Sequence, residues 1–239
     1  MRDTGIQVEA KDNQLKGRLF YEAFFPPKSE MLTVPEDYEY GPPAWSFKNI
    51  TNSQIHRAID HMLPYKATAP GTIPNCVLKE AADLLVPWLG SLFRATFNLE
   101  YYPESWARTA TIVLKKPGKA DYTTPNAWRP ISLSDAYARL LNACIVEDMS
   151  NRCEALGLLP KCQFGARPGR ATTDAVHLLV ATVKEAWRKN LLVVSALFLD
   201  VKGAFPSVDI DVLLHELKRK GVPQEYVGWI KRRMEHRRT

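Results

Sequence analysis

One stretch constrains this 239-residue chain more than any other. Leu191 to Leu199 is its longest near-continuous apolar run, and the run closes on a carboxylate at Asp200. It is too short for a helix of its own and about half what a bilayer span needs, so no membrane segment is expected. Its valines instead favour a buried strand. A carboxylate ending a strand that is apolar on both faces is costly unless a cation or hydrogen-bond donors compensate it. Asp200 is thus either the cap of the turn that follows or one ligand of a divalent metal. Gly203-Ala204 allows close backbone approach to a ligand just before Phe205.

The composition suits a folded chain: 46% apolar and 24% charged residues exclude a disordered polymer and provide for a core without disulfides. Met1-Arg2-Asp3-Thr4 has no apolar signal core, so secretion is not expected. Cys76, Cys144, Cys153 and Cys162 are scattered, without a C-x-x-C pair, and read as ordinary half-buried thiols of a reducing compartment. His56 and His61 bracket no acidic partner, which argues against a metal helix. Of the net charge of +6, +5 lies between Leu214 and Thr239, where eight Lys/Arg, Arg232 and Arg233 among them, face three Glu. Such a stripe is either a pair of solvated helix faces or a surface for polyanions, which it attracts through counterion release.

Along the chain, residues 1–50 read as an extended connector, marked by Phe25-Pro26-Pro27 and Gly41-Pro42-Pro43. Thr51-Asn52-Ser53 offers N-caps for a helix carrying Ile55, Ile59 and Met62, which Pro64 stops. After a loop at 66–74, Asn75 is the expected cap of a helix with Leu78, Ala81 and Leu85, and a further helical piece is expected from Pro87 to Leu99. Ala110–Leu114 and Trp128–Leu133 read as short strands, the first ending in the turn Lys115-Lys116-Pro117-Gly118-Lys119. Ser134 is the expected cap of a long helix towards Gly157. Thr172 or Thr173 caps a helix with Val176, Leu179, Val183 and Trp187 on one face. Asp209 opens a helix closed by Gly221, and Pro223 starts the last one. The fold class is α+β and helix-rich.

Lys115-Lys116-Pro117-Gly118-Lys119 and Trp128-Arg129-Pro130 place two basic points on neighbouring short strands, Lys as a point charge and Arg as a fork, which suits phosphate oxygens. With a metal carboxylate, that set is what phosphoryl transfer from a nucleotide needs. The bland alternative is a solvated hairpin tip and a surface arginine.

Five segments occur in order: KATAPGTIPN at 66–75, LKKPGK at 114–119, WRPISL at 128–133, QFGARPGR at 163–170 and LFLDVKGAF at 197–205. Together they resemble the reverse transcriptase of non-LTR (LINE-like) retrotransposons, most of all versions of fungal type. The resemblance covers roughly residues 50–239. It implies a fingers region at 51–190 and the beginning of a right-hand palm at 191–239, with the connector at 1–50 ahead of them. It implies that Asp200 and the Val201 carbonyl bind Mg²⁺ (or Mn²⁺), that Phe205 gates the incoming sugar, and that Lys116 and Arg129, with Lys115 beside them, hold the triphosphate. Arg167 and Arg170 would run beside the template or the primer–template backbone, projecting from a tight exposed turn. The implied partners are template RNA, primer DNA and dNTP, and the implied setting is a nuclear or cytoplasmic ribonucleoprotein of the intact parent.

The sequence also departs from the pattern. The loop at 66–75 lacks the usual aspartate, position 206 is Pro, and no aromatic-x-Asp-Asp follows Asp200. These 239 residues are accordingly expected to be a truncated fragment without polymerase activity, with an unpaired palm strand through which copies can self-associate. A remnant that only binds nucleic acid is the alternative. An unrelated metal-dependent phosphotransferase is a third, and it would need a second strand ending in a carboxylate.

Overall fold

The computed structural model describes residues 10, 12–26, 34–189, 193–201, 203–204 and 207–238. The first helix, α1 (Asn13–Phe24), lies inside the region expected to be extended. Asp12 caps it, its carboxylate accepting from the Leu15 N–H at 2.7 Å. Residues 44–50 also depart from a free connector. Ala44 N–H donates to the Gly221 carbonyl at 2.8 Å, while Trp45 and Ile50 are buried and Phe47 packs on Phe97 and Tyr226. Gly221 sits at φ +75°, and a Cβ there would meet the Ala44 nitrogen at 2.8 Å, so both backbone and space require glycine.

The core is helical. α2 (Asn52–Asp60) starts at Thr51 with a capping box to Gln54 and buries Ile55, Ala58 and Ile59. α3 (Asn75–Glu80) is short, and α4 (Ala82–Asn98) buries Val86, Leu89, Phe93 and Phe97. The break falls at Ala81, whereas Pro87 is carried inside α4 at the loss of one backbone hydrogen bond. α5 (Glu104–Ala107) is a single turn that buries Trp106. α6 (Ala136–Ala155) contributes Leu140, Leu141, Cys144 and Ile145. α8 (Ile210–Arg219) and α9 (Gln224–Glu235) close the core with Leu214, Tyr226, Val227 and Trp229. Burial pushes the Cys144 thiol up to about 12, and nearby Glu147 adds to the shift. Tyr226 donates to the Asp148 carboxylate at 2.6 Å, which satisfies the one polar atom that ring brings inside.

Three expected caps move by one residue. Pro74, Asp135 and Ala171 occupy the N-cap positions expected for Asn75, Ser134 and Thr172 or Thr173. Asn75 is instead buried, its amide donating to the Leu63 carbonyl and accepting from Arg139 at 2.6 Å. That pair ties the 64–74 loop to α6.

The helix expected after Thr172 forms, whereas the buried strand expected at 191–201 is not found among the described residues. The apolar face of that helix, α7 (Thr172–Arg188), packs on nothing that buries it: Val176, Leu179 and Trp187 stay exposed. Residues 193–201 have no ladder partner among the described residues and are exposed, with Leu197, Phe198 and Leu199 near 80%. A strand exists only through a neighbour's hydrogen bonds, and apolarity by itself does not provide one. No helix among the described residues is long and apolar enough to cross a membrane.

The one sheet among the described residues is an antiparallel pair, β1 (Thr109–Lys115) and β2 (Trp128–Ser134), with Thr109 opposite Ser134 and Lys115 opposite Trp128. Both match the expected strands. They are joined by a twelve-residue excursion, 116–127, instead of a tight tip. Gly118 takes φ +74° at the Pro117-Gly118 corner.

Candidate functional site

Strand alternation decides which side chains share a face of the hairpin. Leu114 pairs with Arg129, so Arg129 lies on the face that also holds Ile112 and Ile131. Lys116, two residues beyond Leu114, returns to that face, and its N–H continues the ladder to the Ala127 carbonyl at 2.9 Å. Lys116 and Arg129 therefore stand together at one end of a surface on which Ile112, Leu114 and Ile131 are 36–52% exposed. Lys116 Nζ donates to the Asn126 carbonyl at 3.0 Å, while Arg129 is exposed and has no ion-pair partner among the described residues. The result is a cationic rim beside an open apolar platform, a combination that suits a phosphate joined to a flat organic group. The platform escaped the sequence reading, although strict alternation in ATIVLK and WRPISL already carries it.

Lys115 is on the other face. Its ammonium lies 5.0 Å from the Tyr122 ring and 5.6 Å from the Trp128 ring, in a two-sided cation–π cage. The cage is locked by the Trp128 indole N–H donating to the Tyr122 carbonyl and by the Tyr122 hydroxyl donating to the Lys116 carbonyl. Phe20 of α1 meets Trp128 edge-on at 5.4 Å. The expected grouping of Lys115 with Lys116 is thus corrected: adjacent residues of a strand point to opposite faces.

Asp200 and Val201 lie on the exposed 193–201 segment, so the buried carboxylate that argued for a compensating metal is not found. Phe205 lies outside the described residues, as do Lys202 and Pro206. Among the described residues no three His, Cys, Asp or Glu side chains gather in a way that would hold a metal ion. Asp200 with the Val201 carbonyl is a partial donor set that does not by itself fit a Mg²⁺ ion.

The arginines expected to project towards nucleic acid are occupied elsewhere. Arg167 has only 5% of its side chain exposed, and its fork takes both oxygens of Glu154 at 2.6 Å each. It also donates to the carbonyls of Pro160 and Gln163. The Arg167 hydrogen bonds hold the Glu154 carboxyl below the usual carboxylate range. Arg170 donates to the Lys161 carbonyl and rests on the Phe164 ring. Both therefore fold the 160–170 loop, and the expectation of an exposed, projecting Arg167 is corrected. Arg232 is largely covered, with Glu100 at 3.9 Å. Arg233 lies over Trp229 and close to Tyr102, whose hydroxyl pKa burial raises while the Arg233 charge opposes the shift.

Comparison with known proteins bears on the same segments. Residues 114–238 match the family model for reverse transcriptase (RNA-dependent DNA polymerase). A probable RNA-directed DNA polymerase from transposon BS of Drosophila melanogaster is 29% identical over 191 residues, 80% of this chain and 21% of that protein. A probable RNA-directed DNA polymerase from transposon X-element of the same species is 30% identical over 72% of this chain and 19% of its own length. The RNA-directed DNA polymerase from mobile element jockey of Drosophila funebris is 27% identical over 93% and 24%. The chain thus spans roughly a fifth to a quarter of these relatives.

Proposed function

Since the chain belongs to the reverse transcriptase family, we propose that it supplies the fingers and the first palm edge of an RNA-directed DNA polymerase encoded by a non-LTR retrotransposon, of the fungal type its motif spelling resembles. In this reading the intact parent uses template RNA, primer DNA and dNTP, and the family's divalent metal ions would be held in part by Asp200 and the Val201 carbonyl. Such ions stabilise the charge of an in-line displacement at phosphorus. This chain's own residues bind and orient: Arg129 offers two parallel N–H donors to a phosphate, and Lys116 adds a compact charge beside it. Phe205 is assigned to the incoming sugar by its motif position.

One observation carries the reading, the convergence of Lys116 and Arg129 on a single face of the hairpin. Titration of the 239-residue protein with dTTP and Mg²⁺ in a calorimeter tests it. Arg129→Gln is expected to weaken binding about tenfold, the value of a charge-assisted hydrogen bond. Lys115→Gln, caged on the far face, is expected to leave it nearly unchanged. Equal losses in the two variants would remove the face assignment.

A binding role without turnover is the second reading for these residues by themselves, favoured because no carboxylate cluster forms around Asp200 among the described residues.

A further inference from the structure

Beside Trp128, which shares the Lys115 face of the hairpin, α1 and the 116–127 excursion border a groove of about 390 Å³. Pockets that hold small organic ligands run from about 300 to 1,000 Å³. The apolar walls are Leu19 and Phe20 from α1 and Tyr122, Pro125 and Trp128 from the hairpin, none of them closed to solvent. Lys16, Leu19 and Phe20 recur at i, i+3 and i+4, which puts them on one face of α1. The aromatic walls are already fixed. The Trp128 indole N–H donates to the Tyr122 carbonyl at 3.0 Å, and the Tyr122 hydroxyl donates to the Lys116 carbonyl at 2.7 Å. Phe20 stacks on Phe24 at 5.6 Å while its ring meets Trp128 edge-on. Such a slot takes a flat ring without first having to order its own side chains.

The remaining polar groups define the rest of the ligand. The Trp128 and Tyr122 donors are spent on carbonyls, and the Thr123 hydroxyl donates to Asp121 at 2.7 Å. Two exposed donors are left in the lining: the Lys16 ammonium, with no ion-pair partner among the described residues, and the Thr124 hydroxyl, with no hydrogen-bond partner among them. The acids nearby are engaged, Asp12 with the Leu15 N–H, Asp121 with Thr123 and Glu22 with Arg18. We infer that this groove is a binding site for a small aromatic carboxylate, its ring against Phe20, Tyr122 and Trp128 and its carboxylate on Lys16, with Thr124 as the second donor. A carboxylate only accepts hydrogen bonds and carries the single charge that one lysine balances. A triphosphate carries several, and its proposed rim, Lys116 with Arg129, is on the other face of the hairpin. The site is therefore independent of the proposed function.

Calorimetric titration of the 239-residue protein with naphthalene-2-carboxylate and with naphthalene-2-carboxamide, which share a ring and differ in charge, tests the proposal. The acid is expected to bind about threefold more tightly, the value of an exposed ion pair. Lys16→Gln, at an exposed position of α1, should bring the acid down to the affinity of the amide. In N–H correlation spectra the acid should shift the Trp128 indole resonance, and hydrogen exchange over residues 13–24 should slow, because the ring ties α1 to the hairpin. Saturating dTTP should displace neither compound, and Arg129→Gln should lower dTTP binding while leaving the acid unaffected, so the two sites are read separately. No binding, equal binding of acid and amide by the unaltered protein, or an acid preference that persists in Lys16→Gln overturns the proposal. Resonance shifts confined to residues 193–201, or displacement of the acid by dTTP, overturn it as well.

Discussion

Arginines in a basic chain are not interchangeable cations, and their individual surroundings decide what each does. Arg167 is buried with its fork on Glu154, Arg170 closes its own loop, Arg233 lies over an indole, and Arg129 and Arg237 face solvent without an ion pair among the described residues. A bidentate pair whose remaining terminal nitrogen is tied to two carbonyls depends on planar geometry that lysine lacks. Arg167→Lys is therefore expected to lower the unfolding midpoint by several degrees, with Arg167→Gln at least as harmful. The pH dependence has a definite direction. Glu154 is held below its ordinary value in the folded protein, so its stabilising contribution is complete above the unfolded carboxylate pKa and disappears as pH falls through the folded one. Thermal melts of parent and Arg167→Gln should accordingly converge in acid and separate towards neutral pH. Parallel curves at every pH would show that the ion pair does not stabilise this loop.

Among the elements, those that depend on neighbouring residues were legible in the sequence. β1, β2, α2, α6, α8 and α9 follow from β-branched runs, apolar spacing and turn residues lying within a few positions of one another. Caps shifted by one residue because Ser134 and Asp135 are both competent N-caps, and backbone geometry chooses between them. What depends on distant partners was not legible. α1 went unread because Pro26-Pro27 dominated its region and its contact, Trp128, is a hundred residues away. The 193–201 segment was read as a buried strand because composition specifies what a segment prefers and is silent on what pairs with it. The site divides the same way: Lys116 and Arg129 fall on one face by alternation alone, whereas the seat of Arg167 on Glu154 appears only in the fold. From this follows an element-scale expectation for α1. Phe20 is its edge contact to Trp128, an aromatic pair worth about 0.5–1.5 kcal/mol beyond area. Phe20→Ala should release α1 and loosen the Lys115 cage, with faster hydrogen exchange confined to residues 13–24 and 115–128. Unchanged exchange at Trp128 and Tyr122 would mean that α1 does not brace the hairpin.

For the whole molecule, the division is between a packed helical core and segments that lie outside that core. Trp45, Phe93, Phe97, Tyr226 and Trp229 lie within one cluster that runs from the 44–50 strap to α9. By contrast α7 buries no residue, and Val193, Leu197, Phe198, Leu199 and Val201 are each 70–84% exposed. A run of large exposed apolar side chains without ladder partners among the described residues is the arrangement that recruits another strand. Two copies pairing along 193–201 would satisfy backbone groups and remove apolar area from water, at about 25 cal/mol per Å². The net charge of +6 opposes the association, and salt screens that repulsion. The 239-residue protein is therefore expected to associate with rising concentration, and more strongly at higher salt, in sedimentation velocity. Phe198→Lys together with Val201→Glu should hold it monomeric with an unchanged helical circular dichroism signal, because these side chains contribute nothing to the core. A monomer at all concentrations and salts would show that the segment is already covered within one chain. The salt response would also separate this association from the proposed nucleic-acid binding, which the same salt would weaken: counterion release and apolar pairing answer ionic strength with opposite sign.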